Sequence, residues 1–199
     1  GVDRKIKKFP KKKKEVLFVG RLVSEKGADL YVQTLRSIAS TFPDWKFGLI
    51  GSFRLGEHKN TNSYAHRVIK SYKEIGSQAI FYGFKNHKFV EEKMKTSSII
   101  VIPSIWEEPF GLVAAEAMSN GISIIASKVG GMPEIIGDNG VLIENINYKK
   151  LKKNLIELLK NNSLRESYQQ KAWKNFKLSS ALSSKKLDDY RRIIFQNYY

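Results

Sequence analysis

Short apolar runs rich in β-branched residues alternate along the chain with longer stretches whose apolar residues recur at helical spacing. The runs predict strands over Glu15–Val19, Lys46–Ile50, Ala79–Tyr82, Ser98–Ile102, Ile122–Ala126 and Gly140–Ile143. Between them, Asp29–Ser40, Ser63–Ile75, His87–Lys95 and Gly111–Asn120 read as helices, with Leu30, Leu35 and Ile38 on one apolar face. Each is long enough for a right-handed crossover, so the pattern predicts an α/β fold with a doubly wound, six-stranded parallel sheet. From Tyr148 onward the pattern is helical only, over Tyr148–Lys160, Leu164–Phe176 and Ala181–Asn197. Such a tail covers a sheet edge or reaches to a neighbour.

Strand order then places the site before any motif is considered. In a sheet of order 3-2-1-4-5-6, the ligand crevice opens where strands 1 and 4 adjoin, at their carboxyl ends. The loops that matter are therefore residues 20–27 and 103–111.

The loop leaving strand 1, Gly20-Arg21-Leu22-Val23-Ser24-Glu25-Lys26-Gly27, brings two cations to a helix start. Arg21 and Lys26 suit a diphosphate there, with helix amides completing the cradle; the competing reading is two surface cations with Glu25 as a local partner. Neither G-x-G-x-x-G nor G-x-x-x-x-G-K-[ST] is present, which argues against a nicotinamide enzyme and a P-loop NTPase.

The loop and helix leaving strand 4, Pro103 to Met118, carry more chemistry. Pro109 is placed to start a helix, which would leave the amides of Phe110, Gly111 and Leu112 to bind an anion or hydroxyl. An unbroken helix from Glu108 to Glu116 would separate the carboxylates by about 12 Å at ~1.5 Å per residue. That is no close acid dyad; it is comparable to the reach from a sugar ring past a diphosphate to a ribose. Glu116 lies among small and apolar residues and needs a partner, whether a ligand, a loop amide or a core cation. Glu107 is expected to face solvent, and Trp106 and Phe110 either shape the pocket or simply pack. Gly51 after strand 2, and Gly83-Phe84-Lys85 after strand 3, emerge at the same edge, where backbone could meet a nucleobase. Gly130-Gly131-Met132-Pro133-Glu134 reads as a further loop and short helix start, with Glu134 as its cap. His58, His66 and His87 lack metal-ligand spacing, so no metal is expected.

Length and composition set the outer bounds. The 199 residues are 42% hydrophobic, enough for one core, and contain no apolar run long enough to span a membrane. The absence of cysteine excludes disulfides and thiolate chemistry and suits the cytoplasm. The net charge of +16 points to an anionic partner. Eight basic residues fall within the first fourteen, and residues 1–14 are expected to be a solvated, poorly ordered linker. Few aromatics interleave with that charge, so no nucleic-acid partner is expected, while a weak attraction to anionic lipid headgroups stays open.

Taken in order, Val19-Gly20-Arg21-Leu22 with Glu25-Lys26-Gly27, Pro103-Ser104 with Glu107-Glu108-Pro109-Phe110-Gly111, Glu116-Ala117-Met118, and Gly130-Gly131 with Pro133-Glu134-Ile135-Ile136 resemble the C-terminal domain of family 4 retaining glycosyltransferases. The resemblance spans about Glu15 to Ile143, and the Glu108–Glu116 spacing matches that family's E-x7-E motif. It implies one Rossmann-like half of a two-domain GT-B enzyme that needs no metal. It further implies Arg21 and Lys26 on the donor diphosphate, Glu116 on the ribose and Glu108 on the donor sugar. The amides of Phe110, Gly111 and Leu112 would then hold sugar and phosphate oxygens, with Phe84-Lys85 at the base. Residues 15–178 would be the donor-binding domain, and residues 179–199 a helix crossing to an N-terminal domain that binds a glycan or glycolipid acceptor. The chain would then be inactive alone. A non-catalytic nucleotide-sugar-binding module and a sugar-nucleotide epimerase of the same architecture are the rival readings.

Overall fold

The computed structural model of the chain describes residues 2–4, 6–52 and 63–178. Six parallel strands, β1 (Lys13–Val19), β2 (Lys46–Ile50), β3 (Ala79–Gly83), β4 (Ser97–Ile102), β5 (Ser123–Ser127) and β6 (Val141–Ile143), form one sheet of order β3-β2-β1-β4-β5-β6. The expected order and crossovers are those observed. β4 and β5 are buried along their whole length, as strands covered by helices on both faces must be.

The alternation of side chains across the pleat divides the core in two. Val16, Phe18, Phe47, Leu49, Ile99, Val101 and Ile125 point to one face. There they meet α1 (Ala28–Arg36), α2 (Ser63–Lys73) and α6 (Tyr148–Lys160). Leu17, Ile50, Ile100, Ile102, Ile124 and Ala126 point to the other, against α3 (His87–Thr96), α4 (Leu112–Ser119), α5 (Met132–Ile136) and α7 (Asn162–Asn175). α4 is apolar nearly all round, and Ala114, Ala115 and Ala117 let it lie close to the sheet. α1 stops at Arg36, short of the predicted Ser40, and the chain continues as a single 3-10 turn over Ala39–Thr41.

Lys7, Lys8, Lys11, Lys13 and Lys14 of the basic leader are exposed, while Arg4, Phe9 and Lys12 anchor it to the domain. Arg4 lies 3.8 Å from the Trp173 ring centroid and donates to the Trp173 carbonyl. Phe9 meets the same ring edge-on at 5.8 Å. Lys12 donates to the carbonyls of Met94 (3.1 Å), Lys95 (3.0 Å) and Asn120 (2.8 Å), the closing turns of α3 and α4. Carbonyls at helix C-termini are orphaned acceptors at the negative end of the dipole, so a lysine there satisfies both. Burial nevertheless pushes the Lys12 amine down to about 7. Lys13 and Lys14 already belong to β1. Sequence composition marked these residues as charged; only α7 and the two helix ends give the charge something to hold. The predicted helix over Ala181–Asn197 lies outside the described residues.

Candidate active site

The loops after β1 and β4 are locked together by their backbones. The Ile105 amide donates to the Glu25 carbonyl at 2.9 Å. Gly27, which opens α1, has φ of 65°, and a Cβ added there would lie 2.1 Å from the Pro103 carbonyl oxygen. Only glycine permits both that conformation and that approach. On the other side, the amides of Gly20 and Leu22 donate to Ile50 and Ser52, and that of Gly51 donates to Gly83. Gly51 therefore ties neighbouring strand ends to one another.

This stitching brings Lys26 onto Glu108. The Lys26 ammonium pairs with the Glu108 carboxylate, which also accepts from the Ser104 hydroxyl at 3.0 Å. The side chains are 23% and 15% exposed, so the pair is sheltered yet reachable. Glu25 is exposed and belongs to the turn: its own backbone amide and the Ser24 hydroxyl hold its carboxyl below the usual range, with Arg21 and Lys26 adding to the effect.

A third loop supports the second. The Gly131 amide donates to the Glu108 carbonyl (2.8 Å), and the Gly130 amide donates to the Glu107 carboxylate (2.6 Å). Gly130 has φ of 51°, and a Cβ there would sit 2.3 Å from the Glu108 carbonyl oxygen. Glu107 is thus exposed, as expected, but also fastens the β5 loop to the β4 loop. Glu134 falls within the first turn of α5, where a carboxylate suits the dipole, and Gly131 is the cap residue.

Pro109 does not start the helix. α4 begins at Leu112, with Gly111 as a left-handed N-cap, and the amides of Gly130 and Gly131 hold Glu107 and Glu108 in the loop before it. The amides facing outward are therefore those at the start of α4, Leu112 among them, since the first hydrogen bonds into the helix are made by Ala114 and Ala115 to the Gly111 carbonyl. The premise of one continuous helix between Glu108 and Glu116 fails for the same reason. Leu112 is 57% exposed.

A cavity of about 340 Å³ lies above the β1–β4 junction, with Gly20, Lys26, Ser104, Glu108, Gly111 and Met132 in its wall. Its size is on the scale of small-molecule sites. Phe110 and Leu112 also line it. Arg21 is exposed and lies outside this wall; Gly51, Phe84, Lys85 and Glu116 also lie outside it, with Gly51 and Glu116 half-buried. Glu116 instead turns toward α3, where His87 Nδ1 lies 3.5 Å from its carboxylate in a recess shared with Val2, Asp3 and Glu91. Phe84 is 72% exposed, and the Lys85 ammonium lies 5.2 Å from the Phe89 ring. The candidate residues therefore form two groups, one around Lys26–Glu108 and one beside β3 and α3. All the large exposed hydrophobics among the described residues, Phe84, Ile105, Trp106, Phe110 and Leu112, belong to the segments following β3 and β4.

The sequence alone assigns no role to Ser104 or His87. A serine four residues before Glu108 was a usable signal. No signal tied His87 to Glu116, because their contact is made across two helices. Among the described residues, no cluster of three His, Asp or Glu side chains is placed to hold a metal ion.

The profile of the family described as Glycosyl transferases group 1 matches residues 2–175. An uncharacterized glycosyltransferase of Methanocaldococcus jannaschii is 35% identical over 153 residues, which is 76% of this chain and 40% of that protein. The lipopolysaccharide 1,2-N-acetylglucosaminetransferase of Salmonella typhimurium is 28% identical over 123 residues, 62% of this chain and 32% of the relative. The chain thus spans well under half the length of these curated relatives. Among solved structures, the C-terminal domain of a glycosyl transferase group 1 family protein (LpcC) from Francisella tularensis superposes with a TM-score of 0.70 at 25% identity, covering 85% of this chain and 89% of that one. Anabaena HepE, solved with UDP-glucose, shares the fold with a TM-score of 0.71 at 21% identity, over 90% of this chain and 49% of its own. The sheet order, the β1–β4 cavity and these matches together make this chain a member of the group 1 glycosyltransferases, with the Rossmann-like architecture of a GT-B C-terminal domain.

Proposed function

We propose that this chain is the donor-binding half of a retaining glycosyltransferase that moves a sugar from a nucleoside diphosphate to a glycan or glycolipid acceptor. The observation that carries the reading is the Lys26–Glu108 pair, a cation and a carboxylate held in one cavity at the sheet's switch point. A diphosphate entering beside Gly20 and the start of α4 takes over Lys26 and the outward amides, and releases Glu108 to accept from sugar hydroxyls. Arg21, exposed on the rim, closes on the phosphates from outside. Glu116 receives the ribose hydroxyls, and Phe84 and Lys85 flank the base, so the second group of residues serves the nucleoside.

Transfer proceeds with negative charge growing on the leaving diphosphate, which Lys26, Arg21 and the helix dipole stabilise without a resident metal. The acceptor-binding wall and any group it contributes come from an N-terminal domain, as the relatives' greater length suggests. The lipopolysaccharide transferase among the relatives supports an acceptor in polysaccharide or lipopolysaccharide assembly, at the cytoplasmic face of a membrane. HepE was solved with UDP-glucose, which supports a nucleotide-sugar donor here.

Calorimetry with UDP, GDP and ADP tests the reading. One of them should bind preferentially, the chain alone should transfer no sugar, and addition of the N-terminal half should restore transfer. Absence of binding by all three, or transfer by this chain alone, overturns it.

A further inference from the structure

The leader and α7 together form a basic face, none of whose residues lines the cavity beside Lys26 and Glu108. Arg4 stacked on Trp173, Phe9 against the same ring and the Val2 amide bonded to the Leu178 carbonyl (2.8 Å) pin the leader along α7. Lys12 fastens its far end to α3 and α4. Residues 2–4, 6–14 and 162–178 carry eleven basic side chains against two acidic ones, Asp3 and Glu166. Three of those basic groups are spent inside: Arg4 on Trp173, Lys12 on helix ends, and Arg165 on the Leu158 carbonyl (2.7 Å) at the end of α6. Lys7, Lys8, Lys11, Lys13, Lys14, Lys171, Lys174 and Lys177 are left exposed. Lys14 shares its charge with Asp44 at 3.3 Å, and Lys171 lies 5.7 Å from the Tyr168 ring.

We infer that this face docks on anionic lipid headgroups. Ordering matters: a floppy lysine tail would lose its freedom on adsorption, whereas the backbone that carries these lysines is anchored at Val2, Arg4, Phe9 and Lys12. The exposed cations are all lysines, compact charges suited to a mobile layer of phosphates rather than to bidentate reading of a fixed partner. Trp173 and Phe9 are engaged with Arg4 and each other, and Arg4 also lies 5.2 Å from the Phe176 ring, so these three rings are not presented for nucleobases to stack on. The choice of lipid rests on the glycolipid reading above; the basic face itself does not.

Sedimentation with vesicles of phosphatidylcholine alone, or with one third phosphatidylglycerol, tests the inference. Binding to the anionic vesicles is expected and should fall more than tenfold in 0.5 M salt, as screening requires. A variant with Lys8, Lys11, Lys174 and Lys177 changed to glutamine should lose at least tenfold in affinity. A charge-matched control with Lys149, Lys150, Lys153 and Lys160 of α6 changed to glutamine should lose less than threefold. Equal losses in both variants reduce the effect to net charge and overturn the face, as does equal binding to neutral vesicles. Duplex DNA bound more tightly than anionic vesicles, with the same lysine dependence, reassigns the face to nucleic acid. Melting temperature and UDP binding are measured on each variant. Retained UDP binding with lost vesicle binding in the first variant separates this inference from the donor-site reading; vesicle binding by the wild-type chain with no binding of UDP, GDP or ADP counts against that reading alone.

Discussion

Two lysine–glutamate pairs sit at opposite ends of the sheet with similar shelter and different freedom. Lys26–Glu108 lies at the carboxyl edge and Lys93–Glu15 at the amino edge, with side-chain exposures of 23% and 15% against 20% and 6%. Around Glu15 the partners are complete: Lys93 at 2.7 Å and the hydroxyls of Tyr82 and Ser97, each at 3.1 Å. Lys93 also lies over the Tyr82 ring at 4.6 Å. Burial pulls the Lys93 amine down, but the Glu15 carboxylate and the Tyr82 hydroxyl outweigh it and hold the ammonium above its ordinary range. Among the described residues, only Lys26 and Ser104 close in on the Glu108 carboxylate, and the remaining side is a cavity. Burial alone therefore does not distinguish an ion pair that is closed from one left open to a cavity. The number of further donors, and the space beside the pair, do.

The comparison is broken most strongly at Glu15. Lys93→Met leaves a buried carboxylate without its cation and should destabilise the fold by about 3 kcal/mol, read from denaturant unfolding. Nucleotide affinity in the folded variant should not change. Because Lys93 is more basic folded than unfolded, its contribution is complete below the ordinary lysine value of about 10.4 and is lost as pH rises beyond it. The wild type should therefore show an alkaline decline that Lys93→Met lacks.

Lys26→Ala inverts that outcome. Glu108 keeps Ser104 and gains water from the cavity, so the melting temperature should barely move. Nucleoside diphosphate affinity should fall by ~1.5 to 3 kcal/mol, roughly 10- to 150-fold, while nucleoside affinity holds. Equal loss for both ligands would place Lys26 in the fold rather than on the phosphates.

The two glutamates sharpen the contrast further. Glu116→Gln should weaken the bare diphosphate about tenfold by removing a charged acceptor from the ribose. Glu108→Gln removes the partner that competes for Lys26, so the bare diphosphate should bind at least as well as to wild type. The additional affinity for the complete nucleotide sugar should disappear. A diphosphate that binds more weakly to Glu108→Gln than to Glu116→Gln is the result against this division. The smallest effect belongs to the exposed pair Lys14–Asp44, with side chains 58% and 76% exposed. Lys14→Gln should change stability by no more than about 0.5 kcal/mol in thermal unfolding.

Much of the site was legible because its parts are local in sequence. The runs ending at Val19 and Ile102, and the glycines that follow the strands, fixed which loops meet at the switch point. Lys26, Glu108 and Gly111 were singled out from those loops, and the cavity has all three in its wall. What was not legible depended on contacts between segments. Pro109 looked like a helix start until Gly131 held Glu108 in a loop, and Glu116 looked buried until α3 set His87 beside it. The Lys26–Glu108 pair itself spans 82 positions, beyond any periodicity.

The sequence by itself determined the sheet. Apolar period and crossover length leave one doubly wound order with few rivals, since chain connectivity and handedness are local constraints. It could not determine the fate of its lysines. Eight of the first fourteen residues are basic, and composition treats them as one solvated run. Only the tertiary structure sends Lys12 into the ends of two helices, Arg4 onto an indole and Lys7, Lys8 and Lys11 to the surface. A charge's energy depends on which acceptors and how much water surround it, and those neighbours are supplied by segments far away in the chain.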